Sequence, residues 1–246
     1  MNGGSSFQVD ERALIGQGRR RRCYRLPAQN LCVKFYCDAA SLSPRTRLNV
    51  RLVIALGRLC RCANVNHREW RYHQILKRRL PQDLLAVFPE HTEPVFCPER
   101  GWGIVETLIL NADGTVARKA VDELGATRDA ALGLRIYKET ARLLLRLAEN
   151  SVRFFDPSNI LVQWTGDGAF RLRIADFEPC CRALVPGLSR LPRYVRCKVR
   201  RRSARYLERL RRLLFARHAL PESVFAERRR AAMPLLERFT REAGLL

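Results

Sequence analysis

The sequence predicts an α+β fold in which a small antiparallel β-sheet is followed by a mainly helical part. Three observations carry this. Short strand-like runs fill the first forty residues, the longest apolar stripe of helical period lies between Leu132 and Leu147, and a strand pair bracketed by turn residues follows it.

Taken in order, Ala13-Leu14-Ile15, Cys23 to Leu26 and Leu31 to Tyr36 alternate apolar with polar residues and are rich in β-branched and aromatic side chains. Pro27 and Asn30 separate the second run from the third, as a hairpin requires. From Arg45 to Leu59, Leu48, Leu52, Leu56 and Leu59 recur at helical spacing with arginines between them, which reads as a basic amphipathic helix. Asn66-His67-Arg68-Glu69 has the form of a capping box and predicts a helix from Asn66 to about Arg79, ahead of Pro81. Trp102 to Leu110 reads as a strand ended by the turn Asn111-Ala112-Asp113-Gly114. Leu132, Ile136, Tyr137, Thr140, Leu143, Leu144 and Leu147 predict a long helix. Ile160 to Trp164 and Phe170 to Ala175 then form a hairpin through Thr165-Gly166-Asp167-Gly168. The remainder, Leu191 to Leu246, reads as two arginine-laden helices separated around Pro221.

With 246 residues and 47% hydrophobic content, the chain can form one domain or two small lobes. No apolar run is long enough for a membrane helix, and Met1 to Asp10 has no signal-peptide character, so a soluble cytoplasmic protein is the expectation. The net charge of +22 points to a polyanionic partner. Nucleic acid, an anionic membrane surface and phosphorylated substrates satisfy it equally. Nine scattered cysteines without a C-x-x-C are read as reduced thiols rather than a zinc site or a disulfide framework.

Four features carry chemistry by their order. Gly16 and Gly18 lie between two strands, where missing side chains let backbone N–H groups approach phosphates; the third position of G-x-G-x-x-G carries Arg21, and a plain hairpin turn has the same look. Lys34 sits in an apolar strand, where a buried ammonium needs a charged partner; Glu69 is the candidate, against a Lys34 that reaches solvent and a Glu69 that caps its helix. Asn159 opens one strand and Asp176 closes its neighbour, together offering hard oxygen ligands for magnesium.

Taken together, Leu14 to Gly18, Arg22-Cys23-Tyr24, Cys32-Val33-Lys34, Arg68 to Tyr72, Pro157 to Leu161 and Asp176 resemble the YrbL family, a protein kinase-like group named after the PhoP regulatory network. The resemblance spans about residues 14 to 180. It implies a two-lobed kinase-like fold, with an N-lobe at 1–108 and a C-lobe at 109–246. It also implies ATP and Mg2+ as cofactors, Gly16, Gly18, Lys34, Glu69, Asn159 and Asp176 at the nucleotide, and Glu106, Thr107 and Leu108 at the hinge. The departures bear on activity. The position of the catalytic aspartate, five before Asn159, is Phe154, and Glu178 replaces the glycine of D-F-G. Asp156, three before Asn159, is the substitute candidate for the base. Three functions stay open: an atypical kinase acting on a protein or small molecule, a regulatory nucleotide-binding pseudokinase, and a nucleic-acid or membrane adaptor. The adaptor would act through the basic residues between Arg190 and Arg217, where Glu208 is the single acid.

Overall fold

A computed structural model describes residues 9–18, 21–27, 30–37, 48–61, 63–176 and 191–218. The chain divides into two compact units: Met1–Leu80 with Pro89–Leu110, and Pro81–Phe88 with Asn111–Leu246.

The first unit is built on a five-stranded antiparallel sheet of order β1-β2-β3-β5-β4: β1 (Leu14–Gln17), β2 (Arg21–Arg25), β3 (Leu31–Tyr36), β4 (Val95–Cys97) and β5 (Gly101–Thr107). The first three strands lie where the sequence places them, and β4 is an addition. Because β3 is central it is covered on both faces. Val33 and Phe35 join Tyr24, Cys97 and Val105 in one apolar cluster. Tyr36 turns the other way, onto Ile54 of α1 (Leu48–Leu59) and Val65 of α2 (Val65–Arg79). Its hydroxyl accepts the Val65 N–H at 2.8 Å, which ties the start of α2 to the sheet.

The cap of α2 corrects the sequence reading. Asn64, not Asn66, is the N-cap: its side-chain oxygen accepts from the N–H groups of Asn66 (2.8 Å) and His67 (3.3 Å), and its amide donates to the Gly57 carbonyl. Asn66 lies inside the helix and donates to the strand carbonyls of Lys34 and Trp102 at 3.2 and 2.8 Å. The physical reason is that buried carbonyls need donors, and an asparagine facing the sheet supplies two.

In the second unit, α5 (Ala130–Glu149) packs against α6 (Pro192–His218), with α4 (Ala120–Ala126) against both. The apolar stripe behaves as its period requires: Ile136, Leu143, Leu144 and Leu147 are buried. The first C-terminal arginine-rich helix begins at Pro192, close to the expected Leu191, and buries Val195, Val199, Leu207, Leu210 and Leu214 on one face. The expected second helix beyond Pro221 lies outside the described residues, as do Cys62, Cys180, Cys181, Glu178 and Arg190.

The hairpin pairs β7 (Ile160–Gly166) with β8 (Ala169–Ile174), and β6 (Arg118–Lys119) adds an edge strand. Gly166 faces Ala169, leaving Asp167 and Gly168 as a two-residue turn with φ of 48° and 68°. Two positive φ values define the type I′ geometry that matches strand twist, and Asp-Gly is the pair that tolerates it. Segment Pro81–Phe88, which contains α3 (Gln82–Leu85), docks on this unit: Val87 accepts from Ile174 N–H at 2.8 Å and Asp83 pairs with Arg146. No described helix is long and apolar enough to cross a membrane.

Candidate functional site

Between the sheet and α2, the first unit buries a cluster of charges. Lys34 opposes Ile104 in the β3–β5 register, and Cys32 opposes Glu106, so Lys34 and Glu106 lie diagonally on the same face. The Lys34 Nζ is 2.6 Å from Glu106 Oε1, with both residues under one-tenth exposed. Glu69, fully buried on α2, is held by Arg21 of β2, whose guanidinium also donates to Asn66 Oδ1 at 3.0 Å.

The expected pairing of Lys34 with Glu69 is enlarged: Glu106, expected at the hinge, pairs with the lysine, and Arg21, the residue at the missing third glycine, pairs with Glu69. Two cations thus meet two acids, as burial demands. The missed signal was Glu106 itself: a carboxylate inside the apolar run Ile104-Val105-Glu106 needs a cation as much as Lys34 needs an acid.

His91 completes the cluster. One ligand atom each of Glu69, His91 and Glu106 lies within 4.8 Å of the others. Such a triad has ligand types for a transition metal, yet Arg21 and Lys34 already neutralise both carboxylates, and a dication added beside them would leave an excess of buried positive charge. The geometry is that of an ion-pair cluster. Burial, then the neighbouring His73, Lys34 and Arg21, pushes the His91 imidazolium down to about 2, so the ring is neutral and its 3.8 Å approach to Glu106 is not an ion pair. His73, whose ring lies 4.6 Å from that of His91 and tilted 57° to it, is lowered to about 4 by burial and Lys77.

Cys23 and Cys32 share this sheet face. The hydrogen bond between them, followed by burial, raises the Cys32 thiol, whereas the same hydrogen bond lowers Cys23. The described cysteines Cys23, Cys32, Cys37, Cys60, Cys97 and Cys197 are all free thiols.

Among the described residues, a Cβ added to Gly16 would meet nothing within 4 Å, and one at Gly18 only the Arg21 carbonyl at 3.6 Å. Gly18 N–H donates to that carbonyl at 2.8 Å, closing the β1–β2 turn. Neither glycine has the positive φ that would itself demand glycine. Of the hinge candidates, Thr107 bonds Glu90 through both backbone and hydroxyl, and Leu108 donates its N–H to Asn30 at 2.8 Å. Those N–H groups are engaged within the unit.

In the second unit, Asn159 closes a short 3₁₀ turn and Asp176 follows β8. Their strands meet: Ala175 N–H donates to the Asn159 carbonyl at 3.0 Å, and the Asn159 amide donates to the Asp176 carbonyl at 3.2 Å. That contact engages Nδ2 of Asn159, and its Oδ1 is the side-chain atom of the type a hard cation takes. Asp156 is exposed and caps the 3₁₀ turn, with Oδ1 accepting from Ser158 N–H at 3.2 Å and from its hydroxyl at 2.5 Å. Phe154 is wholly buried. From α6, Arg202 donates to the Phe155 carbonyl, steadying the strand of chain that leads to Asp156.

No protein-family model and no curated protein matches the chain.

Proposed function

We propose that this chain is a kinase-like protein that binds ATP with magnesium and acts chiefly as a nucleotide-dependent regulator. The observation that carries the reading is the buried Lys34, braced by Glu106 with Glu69 beside it, on the strand next to a glycine loop whose Gly16 no internal contact requires. A strand lysine fixed by carboxylates is a point charge for α- and β-phosphates, and glycines free of packing duty suit a backbone approached by a ligand from outside. The lysine's place on the third strand of an antiparallel sheet supports the kinase-like reading.

In the second unit, Asn159 Oδ1 and the Asp176 carboxylate are the pair that would hold magnesium, whose role would be to neutralise phosphate charge. Phe154 supports regulation over turnover, because a wholly buried phenyl ring occupies the position of the usual base. A second reading, slow phosphoryl transfer to a protein or small molecule, is favoured by one observation: Asp156 is exposed and lies three residues before Asn159.

The test is thermal stabilisation by ATP, with and without magnesium. The expected result is a rise in melting temperature that grows with nucleotide concentration, is lost in Lys34→Met, and loses only its magnesium dependence in Asp176→Ala. No shift at millimolar ATP would overturn the reading. Radiolabel transfer abolished by Asp156→Asn, with nucleotide binding intact, would move the function to the second reading.

A further inference from the structure

Helix α6 carries eleven lysines and arginines against one acid, Glu208, over its 27 residues. Its apolar side is already used: Val195, Val199, Tyr206, Leu207, Leu210 and Leu214 are buried. On the opposite side Arg193, Cys197, Arg201, Arg205, Arg209 and Arg212 are exposed and follow one another at intervals of four or three residues. Four residues of helix advance about 6 Å and return to nearly the same side, so this is a single row of guanidinium groups along the helix.

Glu208 answers only the distal end, pairing with Arg211 and Arg212 at 2.8 and 2.9 Å. Arg201, Arg205 and Arg209 have no acid within ion-pair distance among the described residues. Adjacent like charges one turn apart are mutually destabilising. The helix tolerates them because its other face is docked, and a partner bearing repeated negative charge would relieve them.

We propose that this row is a docking surface for the phosphate backbone of double-stranded nucleic acid. Three observations select that partner. Ten of the eleven cations are arginine, whose planar fork binds phosphate oxygens in pairs. An interfacial membrane helix needs an apolar face free to enter lipid, and that of α6 is buried in its own unit. Single strands are held by stacking on open aromatic rings, whereas the aromatics of α6 are occupied: Lys198 lies over Tyr194, Arg211 over Phe215, and Tyr206 is buried. A duplex presents phosphates at high linear charge density and asks for neither apolar insertion nor stacking, so binding is independent of sequence.

The experiment is fluorescence anisotropy of the full chain with labelled DNA and RNA duplexes across a salt series. Wild type is expected to bind both, with log K falling linearly against log salt. Arg201→Gln/Arg205→Gln/Arg209→Gln is expected to weaken binding about tenfold or more at low salt and to lower the slope by about one per residue. The control Arg128→Gln/Lys138→Gln/Arg171→Gln removes the same charge from exposed positions outside α6 and should change little. Duplex should also protect Cys197 from alkylation, read peptide by peptide. Equal loss in the two triple variants would overturn the proposal, reducing the effect to net charge. So would tighter, row-dependent binding to anionic phospholipid vesicles or to single strands, or an unprotected Cys197. Melting curves of both variants identify loss through unfolding, and single substitutions then replace the triples.

Discussion

Lys34 and Glu106 meet diagonally across β3 and β5, 2.6 Å apart and nearly sealed from solvent. Removing one charge of a buried pair leaves the other uncompensated, whereas removing both does not. Glu106→Gln is expected to cost about 3 kcal/mol in urea denaturation, and Lys34→Met/Glu106→Gln is expected to recover much of it. Additive losses would show that the two groups do not interact.

The observed cap gives a second expectation. Asn64→Ala removes acceptors for two N–H groups of α2 and the amide bonded to Gly57, and should lower stability by about 2 kcal/mol. Asn64→Ser restores the cap but not the Gly57 bond, so it should fall between the two. Urea midpoints of the three proteins check the order.

Acid should unfold the first unit through its neutral histidines. His91 and His73 have folded values depressed below the ordinary 6.5, to about 2 and about 4, so protons bind the unfolded chain first. Their contribution is complete above about pH 6.5 and declines as pH falls below it. Between pH 7 and 5 each should account for about 1–2 kcal/mol of lost stability. Denaturation of wild type and His73→Gln at both pH values checks this, the variant losing less on acidification.

Gly103 of β5 leaves room for the Phe35 ring of β3. A Cβ there would stand 2.5 Å from Phe35, in the apolar cluster of the sheet. Gly103→Ala should cost about 1–3 kcal/mol by thermal melting, and Gly103→Ala/Phe35→Leu should recover part of it. An unaltered Gly103→Ala would mean that the Phe35 ring has room to move.

Most elements were legible because local chemistry specifies them. The stripe from Leu132 to Leu147 can bury one side only as a helix, and Asp167-Gly168 accepts the two left-handed conformations of a tight hairpin. The short strands β4 and β6 and the helix α4 carry little sequence signal, since three or two paired residues, or a seven-residue helix, have little periodicity. In the site, Asn159 and Asp176 meet as their hairpin predicts. The cap of α2 was displaced by two residues, because two asparagines with the same local promise differ only in what the sheet asks of them.

The sequence by itself determined the longer strands and helices and that a buried Lys34 would need an acid. Only the tertiary structure decided which acids and cations meet. Glu106, Glu69, Arg21 and Lys34 come from four elements, and register across β3–β5 together with the packing of α2 brings them within reach. Partner choice among buried charges depends on distance and desolvation, which are properties of the folded arrangement and not of any one segment.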